Sequence, residues 1–197
     1  MWPAVLIANQ RQRRFYQRRW RRFGATFRTL AWNSRDAQVR RYEALAQVGD
    51  LTGATVLDLG CGLGDLFAFL AEHRIDCEAY GYDIVPEFVS HCRDRFPSVA
   101  VEERNILWSP PKRRFDYVFC CGVFALGNRA FFRRLLHAAW NLADTALAFN
   151  IYRPRTSRYF RIEQPDAMAA TRLLPGVRRV RSTDQYVPND YTVFASR

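Results

Sequence analysis

Apolar residues recur along this chain with two different periods. Between residues 10 and 27, Tyr16, Trp20, Phe23 and Phe27 are spaced by four, three and four, which is one face of an α-helix, and arginines fill most of the other positions. A second helical segment follows over residues 37–48. From Thr55 onward, short β-type apolar runs alternate with helical ones, the pattern of repeated βα units around a parallel sheet. The runs predict strands at 55–60, 77–83, 99–104, 115–121, 145–151, 177–183 and 191–196, and helices at 64–73, 86–95, 129–142 and 163–173. Pro86 suits the first turn of a helix, where its missing N–H costs nothing. The last two strands have no helix between them and meet at a turn around Pro188-Asn189-Asp190, which predicts an antiparallel hairpin at one edge of the sheet.

Length and composition fit one α/β domain with two parts: basic amphipathic helices over residues 1–50, read as a lid, and a core over residues 51–197. With 197 residues, 49% of them hydrophobic, the chain has enough apolar surface for one core of ordinary size. Its longest apolar runs, such as 145–151, fall far short of the roughly 20 residues that span a bilayer, so no membrane association is expected. Five cysteines, an odd number without paired spacing, suggest buried thiols in a reducing cytoplasm and no metal site. The net charge of +11 is local, because residues 1–35 hold nine arginines and no acid, while the rest carries 21 basic against 19 acidic side chains. The basic segment 11–35 is read as a helix with a solvated cationic face, and alternatively as a grip for nucleic-acid phosphates. Lys112 is the only lysine among 30 cationic residues, a bias that weakens arginine count as a sign of phosphate binding.

The chemistry concentrates where Val56-Leu57-Asp58-Leu59 runs into Gly60-Cys61-Gly62-Leu63-Gly64 and then a helix. Glycines at 60, 62 and 64 allow tight turning and close approach of a ligand to the backbone, and the following helix offers its positive N-terminus. Asp83 ends the next strand about 20 residues on, where a carboxylate accepts hydrogen bonds from both hydroxyls of an unphosphorylated ribose. The glycine spacing differs from that of dinucleotide-binding loops and, with Asp58 ahead of it, favours S-adenosylmethionine (SAM).

The stretch from Leu57 to Gly64 resembles the signature of class I SAM-dependent methyltransferases. The resemblance implies a Rossmann-like, mostly parallel seven-stranded sheet with an antiparallel last strand and helices on both faces. It also implies that Asp58 and Gly60 hold the methionine end, Asp83 binds the ribose, and Ile84 packs on the adenine, with Cys61, Gly62 and Gly64 also among the cofactor-binding residues. Asn105, next to Ile106, stands where an Asp commonly receives the adenine amino group, and an Asn carbonyl accepts the same bond. The stretch from Phe115 to Phe124 is similar to the family's fourth motif, with Cys121 in place of a frequent Asn. An Asn/Asp-Pro-Pro-Tyr/Phe motif is missing, which argues against methylation of exocyclic amino groups on adenine or cytosine. Cys120 and Cys121 are expected on opposite faces of their strand. Trp32-Asn33-Ser34-Arg35-Asp36-Ala37-Gln38 and the ending from Tyr186 to Val193 resemble the flanks of short, stand-alone bacterial methyltransferases whose acceptor is unassigned.

Methyl transfer from a sulfonium needs alignment and exclusion of water more than a dedicated base. Where a proton must leave the acceptor, Tyr152, His137, Tyr186, Glu163 and Asp190 are the candidates, with Tyr152 preferred because it follows the fifth strand. The expected activity is methylation of oxygen or nitrogen on a small-molecule acceptor, leaving S-adenosylhomocysteine (SAH). An RNA-modifying enzyme and a SAM-binding module without catalysis are the alternatives.

Overall fold

The computed structural model describes residues 3–153 and 160–197. Its elements, in chain order, are α1 (Pro3–Phe23), α2 (Arg35–Ala46), β1 (Ala54–Leu59), α3 (Asp65–Glu72), β2 (Cys77–Asp83), α4 (Pro86–Arg95), β3 (Ala100–Glu103), β4 (Phe115–Cys120), α5 (Arg129–Leu142), β5 (Ala143–Tyr152), α6 (Gln164–Arg172), β6 (Arg179–Thr183) and β7 (Asp190–Ser196). All seven expected strands are present, in the sheet order β3-β2-β1-β4-β5-β7-β6. The first five run parallel, whereas β7 lies antiparallel to both β5 and β6, so the expected final hairpin forms at one edge.

The central strands are apolar on both sides because helices cover both faces of the sheet. Leu57 and Leu59 of β1 join a large cluster with Phe132, Leu136 and Trp140 of α5, while Val56 joins a second cluster with Leu45 of α2 and Leu66 and Phe69 of α3. Cys120 and Cys121 divide in the same way, one in each cluster. The five cysteines are free, and no group of metal-ligating side chains occurs among the described residues. Nor, among these residues, is any helix long and apolar enough to cross a membrane.

Side-chain caps set the starts of two helices. Ser34 Oγ accepts the Ala37 N–H at 3.0 Å ahead of α2, and Asn128 Oδ1 accepts the Phe131 N–H at 2.9 Å ahead of α5.

The first helix departs from expectation at both ends, spanning 3–23 rather than 10–27. It stops at Gly24, whose left-handed φ of 58° and N–H bond to the Trp20 carbonyl at 2.9 Å close the last turn, leaving Phe27 outside. It begins earlier because Val5, Ala8, Gln12 and Phe15 form a second buried stripe at steps of three, four and three. Tyr16 and Trp20, from the stripe legible in sequence, pack against Leu63, Val85 and Phe88.

Candidate functional site

The sheet order reverses between β1 and β4, and a crevice opens there at the carboxyl ends of the strands. Asp58 of β1 reaches this crevice just ahead of the glycine loop. Gly60 has φ +83°, and a Cβ there would lie 2.3 Å from Val123 Cγ1, so both conformation and space exclude a side chain. Gly64 caps α3 with φ +75°, and its absent Cβ makes room for the Phe96 ring, which it would otherwise meet at 2.7 Å. The loop is fastened to β2 by the Gly60 N–H, which donates to the Tyr82 carbonyl at 2.7 Å.

Asp83 and Asp58 are both buried carboxylates, but their partners differ. Asp83 accepts the Gly62 N–H on one oxygen and the Val85 N–H on the other, each at 2.9 Å, which leaves a lone pair on each oxygen for a ligand. Burial raises its pKa to about 6 against the opposing pull of those N–H groups. Asp58 Oδ1 is buried with no hydrogen-bond partner among the described residues. Burial, reinforced by the charges of Asp83 and Asp65, lifts its pKa to about 8. A buried acceptor of this kind is destabilising unless a donor or cation meets it.

A cavity runs over both carboxylates and is roofed by the N-terminal segment. Asn9, Gln12 and Tyr16 of α1, Leu30 and Trp32 beyond it, and Tyr42 of α2 line one side, facing Gly60–Gly62, Asp83 and the Arg104–Leu107 turn. Leu30 lies directly on the loop, since a Cβ on Gly62 would meet its Cδ2 at 2.9 Å. Gln12 Nε2 donates to the Val123 carbonyl at 2.8 Å, and Arg13 pairs with Glu103 at 3.1 Å, so α1 is tied to the sheet on both sides of the cavity. Arg19 is also engaged, donating to the carbonyls of Arg28 and Thr29.

A second cavity adjoins the first, with Tyr16, Leu30, Trp32 and Gly122 lining both. Its other walls include Arg41, Phe124, Asn150, Tyr152 and Phe160. Behind it, Arg41 binds Asp190 Oδ2 through Nε at 2.6 Å and Nη2 at 2.5 Å, with both side chains almost fully buried. Asp190 Oδ1 accepts from Tyr186 Oη at 2.8 Å and from Asn150 Nδ2 at 3.2 Å, and Asn150 Oδ1 accepts the Gly122 N–H at 2.7 Å. Burial raises the Asp190 pKa, with Arg41 pulling it back. Burial likewise raises that of Tyr186, which keeps the phenol neutral.

With this geometry in place, residues 56–144 match the family model described as a methyltransferase domain. The match takes in 89 of the 197 residues and makes that stretch similar to a methyltransferase domain. A magnesium protoporphyrin IX methyltransferase from Synechocystis PCC 6803, crystallised with bound SAH, superimposes with a TM-score of 0.70 at 18% identity, over 98% of this chain and 99% of that one. An amino pentose methyltransferase from Micromonospora echinaspora gives a TM-score of 0.67 at 15% identity, over 85% and 93% of the two chains. Among curated proteins, the trans-aconitate 2-methyltransferase of Rhodopseudomonas palustris (strain HaA2) is 34% identical over 83 residues, which are 42% of this chain and 32% of that protein. The chain thus matches only about a third of the length of such relatives.

Within the matched stretch, Asp58, Gly60, Cys61, Gly62, Asp83, Ile84, Asn105, Ile106 and Cys121 all line the first cavity. Gly64 does not; it serves the α3 cap and the Phe96 contact. Asn105 Oδ1 already accepts the Leu107 N–H at 3.1 Å and keeps a second lone pair. Tyr152 lines the second cavity. His137 is exposed on α5, in a separate basic groove with Arg129, Arg133 and Arg134, so its helical phase turns it away from both cavities. Tyr186 and Asp190 sit behind the cavity wall, bonded to each other, and Glu163 pairs with Arg161 at 2.7 Å and with Arg153. The roof residues Gln12, Leu30 and Trp32 and the buried Arg41 were not singled out from the sequence. Trp32 falls in a flank motif legible there, but Arg41 pairs with Asp190 across 149 positions, which no local pattern signals.

Proposed function

We propose that this protein is a SAM-dependent methyltransferase acting on a small molecule held in the second cavity. The unpartnered Asp58 oxygen carries the reading: a buried carboxylate beside a glycine loop fits the ammonium of the methionine moiety, which would supply the missing donor and cation together. The residues present fit the rest of that cofactor. Asp83 has lone pairs free for two ribose hydroxyls, Ile84 and Ile106 offer apolar faces to the adenine, and Asn105 keeps an acceptor for its amino group. Cys121 stands where the two cavities approach each other. SAM supplies a methyl group already activated by its sulfonium, so the chain's task is to align the acceptor and keep water out. Residues 1–50 perform the second part as a lid, since α1 and Leu30 cover the glycine loop. A second cavity with five aromatic residues in its walls favours a small acceptor over RNA gripped by the exposed arginines.

Calorimetric titration with SAM and SAH tests this reading. Micromolar binding that Asp83→Ala weakens by about 10- to 100-fold is expected, the scale of losing two hydrogen bonds to a buried charged group. Absence of binding to both ligands contradicts it.

A further inference from the structure

The two flanking motifs outside the matched domain meet at the second cavity, where Trp32 comes from one and the Tyr186–Asp190 pair from the other. Trp32 Nε1 is buried with no hydrogen-bond partner among the described residues, although the indole lines both cavities. The ring is held from two directions: the Arg41 guanidinium lies 4.7 Å from its centroid, and Gly122 is so close that a Cβ there would meet Trp32 Cη2 at 2.8 Å. Arg41 is fixed by Asp190, and Gly122 by Asn150, so one buried network positions both supports. An indole N–H only donates, so a ligand that satisfies it must present an acceptor atom.

The charge of the cavity narrows the choice further. Arg41 is the only charged side chain among the described residues lining it, and none of those residues is a carboxylate. Asp190 is sealed behind Arg41 and fully committed to its partners. An ammonium acceptor would find no counter-ion among those residues, and five aromatic walls, Tyr16, Trp32, Phe124, Tyr152 and Phe160, suit a flat apolar body.

We infer that the methyl acceptor is an anionic oxygen, a carboxylate or an ionised phenol, on a flat apolar molecule, and that Trp32 Nε1–H donates to that oxygen. The inference rests on the SAM reading above. The oxygen lone pair forms the new O–CH3 bond as the S–CH3 bond breaks, and its electron pair stays on sulfur. An anion and a sulfonium become a neutral ether or ester and a neutral thioether, and no proton needs to be removed. Charge is thereby annihilated beside apolar and aromatic walls, so the step calls for no base. Arg41 acts through Trp32 as a positioning residue.

The test uses three matched probes, naphthalene-2-carboxylate, its primary amide and 2-naphthylmethylammonium, titrated into the full chain saturated with SAH. Binding of the acid at least about tenfold tighter than the other two is expected, with that preference lost in Trp32→Phe measured at an SAH concentration that saturates the variant. Preference for the ammonium, no preference, or no binding of any probe to the SAH complex overturns the acceptor class and leaves the cofactor reading intact. Failure of SAH itself to bind removes the cofactor reading, and the inference with it.

Discussion

Asp58 is the residue on which most of the account turns, and its environment has consequences in the free protein. Its folded pKa of about 8 lies above the ordinary 3.8, so between those values the folded chain keeps a proton that the unfolded chain has released. Its contribution to stability is therefore greatest below pH 4 and is lost as pH rises towards 8. Asp83, at about 6, acts with the same sign over a narrower window. Asp58→Asn should be more stable than wild type at pH 8 by roughly 1–3 kcal/mol in urea unfolding, the range for a buried group lacking its partner, and the difference should vanish towards pH 4. The same variant should lose SAH affinity, so stability and binding move in opposite directions. Arg41 behaves otherwise. Arg41→Met leaves Asp190 buried without its cation, and urea unfolding should show a loss of about 3–5 kcal/mol.

At the level of elements, periodicity was enough to find every strand and the cores of α3 to α6, most plainly in the central strands, where both faces are buried and the apolar runs are continuous. It failed at α1. The stripe through Tyr16 and Trp20 was visible, but the adjoining stripe through Val5, Ala8, Gln12 and Phe15 includes a glutamine, buried because its amide reaches the Val123 carbonyl. A polar residue on a buried face reads as solvent-facing until its distant partner is known. If α1 and the segment after it form a lid, SAH should slow tryptic cleavage at Arg21 and Arg22. Trp20→Ala, which removes the contact with Phe88 at 5.9 Å between ring centroids, should restore cleavage and weaken SAH binding by about tenfold. Unchanged cleavage on SAH addition would show that the segment does not close on the cofactor.

For the molecule as a whole, the proposed cofactor half of the site is legible in the sequence because the glycines, Asp58 and Asp83 lie within one βαβ unit, where chemistry and local structure coincide. The proposed acceptor half was illegible: it is assembled from α1, α2, β5 and the segments after β4 and before β7, and the buried pair behind it, Arg41 and Asp190, acquires meaning only when the sheet brings the chain's two flanks together. Calorimetric titration with SAH at pH 7, repeated in buffers of different ionisation enthalpy, tests the central claim most directly. An ammonium docking on Asp58 must displace the proton that its raised pKa holds, so the account predicts micromolar binding with release of nearly one proton, abolished in Asp58→Asn. Binding with no proton release, or binding unaffected by the substitution, would contradict the placement of the methionine ammonium on Asp58.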